Sequence, residues 1–93
     1  MESKKIRRRY HFYGRVQGVG FRYYAQYAAD AADVTGWVRN EYDGSVTMEI
    51  QGTAADIDAV VATLNNDDYI RIDRTESREL PYDPEERRFR VAY

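Results

Sequence analysis

Asp43-Gly44 separates two β-rich runs, Thr35 to Tyr42 and Ser45 to Gln51. This dipeptide most readily takes the two positive φ angles of a tight hairpin turn. The runs are therefore expected to form an antiparallel hairpin, with Val46, Met48 and Ile50 marking the buried face of its second strand. That face needs a cover, and the flanking sequence supplies two helices. Phe21, Tyr24, Ala25, Ala28 and Ala32 recur at three- and four-residue intervals, the stripe of an amphipathic helix from Arg22 to Ala32. Downstream, Thr53 with Asp56 three residues later is a variant of the capping box that opens a helix. Ile57, Val60, Val61 and Leu64 supply the core stripe of that second helix, and Asn65 and Asn66 are expected to end it in the left-handed conformation.

Strand periodicity frames these elements. Ile6, Tyr10 and Phe12 alternate with Arg7, Arg9, His11 and Tyr13, as in a half-buried strand; Arg8 breaks the alternation and is read as lying near a fraying end. Tyr69, Ile70 and Ile72 open a fourth strand that turns polar through Thr75 and Ser77, Pro81 and Pro84 fence a loop, and Phe89, Val91 and Tyr93 form a closing strand. The order β-α-β-β-α-β plus one strand predicts the α+β class: a ferredoxin-like split βαβ sandwich with two helices on one face of a mainly antiparallel sheet of four to five strands. One domain over residues 1–93 is expected for this length. Such a scaffold carries enzymes, RNA binders and regulatory modules alike, so function has to be read from particular residues.

Composition removes most chemistries. The 93 residues include no Cys and one His, which excludes a disulfide framework, a thiolate nucleophile and a sulfur-ligated metal. With 14 Lys and Arg against 16 Asp and Glu, a net charge of -2, no global basic field draws the chain to nucleic acid or membrane. Lys4, Lys5, Arg7, Arg8 and Arg9 are the local exception and read as a solvated strand face at the start of the chain. No apolar run reaches membrane-spanning length and residues 1–20 lack the pattern of a signal peptide, so a cytoplasmic protein is expected.

The informative stretch is Gly14-Arg15-Val16-Gln17-Gly18-Val19-Gly20-Phe21-Arg22, between a strand and a helix. Its glycines allow backbone amides to point at one centre, to which the helix start adds unpaired N–H groups and a positive dipole end. Arg22 can lay a planar fork of donors against phosphate or carboxylate oxygens. The stretch lacks the Gly-Lys-Ser/Thr ending of a Walker motif and the third glycine of a dinucleotide loop. By itself it reads more readily as a tight β-to-α turn that happens to be glycine-rich. In the second patch, Gly36-Trp37-Val38-Arg39-Asn40, Trp37 reads as core, Arg39 as a solvated face and Gly36 as a place of close approach. Asn40 stands out, because Asn is disfavoured in strands and its amide offers a donor and an acceptor that could hold a water.

Together the two patches, continued by Asp43-Gly44-Ser45-Val46, resemble the paired signature of the acylphosphatases, small enzymes that hydrolyse the carboxyl-phosphate bond of acyl phosphates. The resemblance is strong from Tyr10 to Gly52 and weaker beyond. It implies that Arg22 binds the substrate phosphate and that Asn40 orients the attacking water. It also implies that the amides of Val16, Gln17, Gly18, Val19, Gly20 and Phe21 surround the phosphate, with no metal and no cofactor. The implied partners are a small acyl phosphate as substrate and inorganic phosphate as product, with no nucleic acid and no membrane, for a monomer. Asp33 replaces the glycine expected after the first helix, and Asn65-Asn66-Asp67-Asp68 the Gly-Pro often found after the second. Without zinc-finger cysteines, a maturation factor bearing such a domain is a poor match for the whole chain.

Three leads are set aside. His11 shares strand parity with Arg7 and Arg9 and has no metal-binding neighbours in sequence; Asp67-Asp68 lacks the remaining ligands of a calcium loop; Glu85-Glu86-Arg87-Arg88 reads as a self-compensating surface. An RNA-binding sheet using Tyr13 and Tyr42 would need the glycine-aromatic cluster in a strand rather than a loop, and a regulatory ligand-binding domain would not account for Arg22 together with Asn40.

Overall fold

The computed structural model describes residues 4–93; the first three residues of the stretch read for a signal peptide lie outside the described residues. The elements run β1 (Lys5–Arg15), α1 (Phe21–Ala32), β2 (Thr35–Asn40), β3 (Val46–Thr53), α2 (Ala54–Asn65), β4 (Arg71–Leu80) and β5 (Phe89–Ala92). They build one five-stranded sheet in the order β4-β1-β3-β2-β5. All neighbours are antiparallel except β2 and β5, which run parallel. The helices cover one face, giving the α+β sandwich expected from periodicity. Among the described residues no helix is long and apolar enough to cross a membrane.

The core follows from strand and helix parity. Phe12, Val38, Val46, Met48 and Ile50 from the sheet meet Phe21, Ala25, Ala29, Ile57 and Leu64 from the helices, all buried. The Phe12 and Phe21 rings lie 5.2 Å apart, which clamps the start of α1 onto the middle of β1. Asp33 takes the left-handed conformation demanded of it, φ 59° and ψ 42°, and Val34 N–H donates to the Ala29 carbonyl at 3.1 Å.

Several local expectations are corrected. In the hairpin only Gly44 has positive φ, 93°; Asp43 does not. The loop spans Glu41 to Ser45 and is closed by Glu41 N–H to the Ser45 carbonyl at 2.8 Å, with Gly44 N–H to the Glu41 carbonyl at 3.3 Å. Asp43 accepts from Ser45 N–H at 3.0 Å and from the Ser45 hydroxyl, so one left-handed glycine after an ordinary turn suffices. Helix α2 ends at Asn66 with φ -97°, outside the left-handed region; Asp67 turns the chain instead by accepting from Tyr69 and Ile70 N–H.

Arg8 does not fray. It lies within β1, donating to the Tyr10 hydroxyl at 3.2 Å and to Asp58 on α2 at 3.0 Å, with its stem along the apolar face. Trp37 is not core, since inward parity in β2 belongs to Gly36 and Val38; its ring lies half-buried on the open face under the Arg39 guanidinium, 5.0 Å away. Glu86 does not compensate its neighbours. Its carboxylate accepts from Arg7 at 2.9 Å, and Arg7, 6% exposed rather than solvated, also donates to Glu49 and Gln51. Burial alone would lower the Arg7 pKa, but hydrogen bonds and charge from Glu86 and Glu49 outweigh it and raise the value above the ordinary one. Gln51 in turn bonds the backbone of Asp83 in both directions. This network ties the connection before β5 across the open face, and so holds β5 beside β2.

Gly36 has the close approach expected of it: with φ 148°, a Cβ there would meet the Glu49 carbonyl of β3. Gly36→Ala combines backbone strain with a main-chain clash and should destabilise by about 2–4 kcal/mol. Denaturant unfolding measures this, and a midpoint equal to wild type would contradict the register.

Candidate active site

The segment between β1 and α1 is pinned at two points: Val16 and Phe21 are both buried in the core. Between them Gly18 and Gly20 take φ of 72° and 83°, values that β-bearing side chains adopt only at a cost. Gly20 is the N-cap of α1, where a Cβ would lie 3.1 Å from the Tyr24 ring. The helix therefore opens with no capping side chain and no acidic residue in its first turn. Helix α2 is capped conventionally, with Thr53 Oγ1 accepting from Asp56 N–H at 3.2 Å. Among the described residues, the backbone bonds of turns and loops engage Tyr24 N–H, donated to the Gly20 carbonyl at 3.0 Å, but not the N–H groups of Gln17 to Phe21. A run of unengaged donors at the positive end of a helix has the chemistry to receive an anion.

Gln17 fixes where this loop lies. Its side-chain amide donates to the carbonyls of Glu41 at 2.7 Å and Ser45 at 2.8 Å, stapling the loop to the β2–β3 hairpin. Asn40, the last residue of β2, is the neighbour of that anchor and pairs with Val46 of β3. The side-chain bonds of the hairpin run from Gln17, from Arg39 to Glu41, and between Asp43 and Ser45; none engages the Asn40 amide.

Arg22 stands in the first turn of α1, half-buried, and the ion pairs of the described residues do not include it. Its guanidinium carbon lies 5.1 Å from the centre of the Tyr93 ring. A cation beside a helix N-terminus is electrostatically unfavourable, and a bound anion relieves both at once.

These elements share one cavity of about 380 Å³, which brings together Val16, Gly18, Gly20, Phe21, Arg22 and Asn40. The side chains of Gln17 and Val19 do not line it; Gln17 faces the hairpin and Val19 packs against the core. Sequence reading missed Tyr23, Gln26, Val91 and Tyr93 on the same walls. Gln26 was accessible from helix periodicity, four residues after Arg22. Val91 of β5 and Tyr93, which follows that strand rather than closing it, were not, because their presence depends on the parallel pairing of Val38 with Val91 and Arg39 with Ala92.

His11 and Asp67, two of the leads set aside, are engaged in hydrogen bonds within the fold. His11 Nε2 lies 2.6 Å from Ser45 Oγ and its ring stacks on Tyr13 at 4.5 Å. The Ser45 hydrogen bonds hold the Asp43 carboxyl below its ordinary pKa. Among the described residues no three His, Asp or Glu side chains converge as a metal shell would.

The sequence matches the acylphosphatase family model over residues 8–91. It is 44% identical over 82 residues to the acylphosphatase of Oceanobacillus iheyensis, spanning 86% of this chain and 90% of that protein. The crystal structure of acylphosphatase from Bacillus subtilis superposes with a TM-score of 0.87 at 31% identity, over 95% of this chain and 99% of that one. Full-length HypF, in a phosphate- and nucleotide-bound form, contains a similar segment: TM-score 0.88 at 25% identity, covering 100% of this chain and 12% of that much longer one.

Proposed function

The chain belongs to the acylphosphatase family and is a hydrolase acting on acid anhydrides, and we propose that the cavity between the glycine loop and the end of β2 is where it cleaves acyl phosphates. The observation that carries the assignment is the convergence of the unengaged loop amides, Arg22 and Asn40 on one cavity.

Arg22 and the amides from Val16 to Phe21 hold the phosphoryl oxygens. Asn40, at the edge of the same cavity, holds a water through its amide. The water oxygen bonds to phosphorus as the bond from phosphorus to the acyl oxygen breaks, the electron pair leaves with the carboxylate, and a phosphate oxygen takes the water's proton. The conjugate acid of that leaving group has a pKa of roughly 4, so departure at neutral pH needs no proton donor. What remains is to offset charge and align the water, which fixed donors accomplish. Residues 1–93 act here as one cytoplasmic, monomeric domain without metal or cofactor.

Purified protein should therefore hydrolyse benzoyl phosphate in EDTA, with negligible turnover of alkyl phosphate monoesters, whose alkoxides require protonation. Loss of activity in EDTA that Mg²⁺ or Zn²⁺ restores would overturn this reading.

A further inference from the structure

Tyr23 belongs to two cavities. It lines the proposed phosphate site with Arg22 and Val91, and it also lines a groove of about 670 Å³ between α1 and α2. The groove walls are Tyr23, Tyr24 and Tyr27 of α1 opposite Ala62 and Thr63 of α2. Its lining includes one charged side chain, Asp67, whose carboxylate is already engaged by two backbone amides. Tyr23 and Tyr27 are each 69% exposed, four residues apart on one helix face, and the Tyr23 and Tyr24 rings meet edge to face at 5.7 Å.

Exposed tyrosines in this number are unexplained by folding, since the inward stripe of α1 is Phe21, Ala25, Ala28 and Ala29. The phosphate end of a substrate is fixed by charge at Arg22, so the acyl group must project out of the cavity past neighbouring side chains, of which Tyr23 adjoins Arg22 in sequence. A tyrosine ring offers a large, low-entropy apolar surface to such a group.

Resting on the site assigned above, we propose that the acyl group crosses the Tyr23 ring and lies along the tyrosine-lined groove between α1 and α2, so that the substrates favoured are acyl phosphates with a long or aromatic apolar acyl group. Tyr23 lines both cavities, which favours a molecule anchored at Arg22 over an unrelated partner, because such a molecule can use both.

The test compares kcat/KM for octanoyl phosphate and acetyl phosphate in the wild type, Tyr23→Ala, Tyr27→Ala and Tyr42→Ala. Wild type should favour octanoyl phosphate by about tenfold or more, given the worth of a few methylenes on an apolar wall. Tyr23→Ala should bring the ratio near unity and Tyr27→Ala should lower it about threefold. Tyr42, fully exposed on the hairpin, is the control, and its variant should keep the wild-type ratio. Equal ratios in wild type and Tyr23→Ala would overturn the proposal while leaving the hydrolase assignment intact; absence of hydrolysis of both substrates would instead reject the site itself. Sedimentation showing a dimer dispersed by Tyr27→Ala, with no chain-length preference, would assign the groove to a second copy and also overturn it.

Discussion

Arg22→Lys should lower kcat/KM for an acyl phosphate by roughly 100- to 1,000-fold while the protein stays folded. The charge is retained, so a reading in which Arg22 contributes only a positive field expects little change. The geometry argues otherwise. Arg22 projects from the first turn of a helix into the cavity it shares with the loop amides, and its guanidinium already stacks near Tyr93 at 5.1 Å. A planar fork can bond two phosphoryl oxygens side by side while stacking near Tyr93; an ammonium is a compact point charge without that planar geometry. Inhibition by inorganic phosphate should weaken as well, because the fork acts on bound phosphate as much as on the reacting group. The melting temperature should shift little, since the ion pairs of the described residues do not involve Arg22. Near-normal turnover and phosphate affinity in the lysine variant would remove Arg22 from the cradle.

What the sequence made legible was whatever depends on local period and backbone freedom. Spacing alone announces a helix from Arg22 to Ala32, which the structure begins one residue earlier at Phe21, and Thr53 with Asp56 announces a cap that stands as expected. The loop glycines likewise signal left-handed backbone, and Gly18 and Gly20 adopt it. Features that depend on what lies across the sheet were illegible. Arg7 looks like any surface arginine until Glu86, brought back by the connection before β5, covers it. Trp37 looks like core because of its size, but parity within β2 gave that place to Val38. The cavity shows the same division. Arg22 and Asn40 are marked by motif, whereas Val91 and Tyr93 reach the site only because β5 runs parallel to β2. Gln17 was visible as a loop member, but its role as a staple rests on carbonyls of a hairpin more than twenty residues away, Glu41 and Ser45.

Asn40→Ala separates the two halves of the proposed chemistry. If Asn40 holds the attacking water while Arg22 and the loop amides hold the phosphate, the variant loses an interaction used in the transition state and keeps the cradle whole. Turnover should then fall by roughly 100-fold or more, the usual worth of one positioning group, while competitive inhibition by inorganic phosphate changes little. The contrasting role is structural: an amide that satisfies a backbone group at a strand end, whose loss costs about 1 kcal/mol of stability and leaves turnover nearly intact. The hairpin geometry already weighs against that role. The turn after β2 is closed by Glu41 and Ser45 through their own backbone and braced by Gln17 and Asp43, without help from the Asn40 side chain. An amide that the hairpin's hydrogen bonds leave unengaged, lining the cavity beside Arg22, is available to a ligand or a water. Turnover, phosphate inhibition and melting temperature measured on this one variant decide the matter: preserved turnover with a lowered melting temperature rejects water positioning, and lost turnover with unchanged phosphate inhibition assigns it to Asn40.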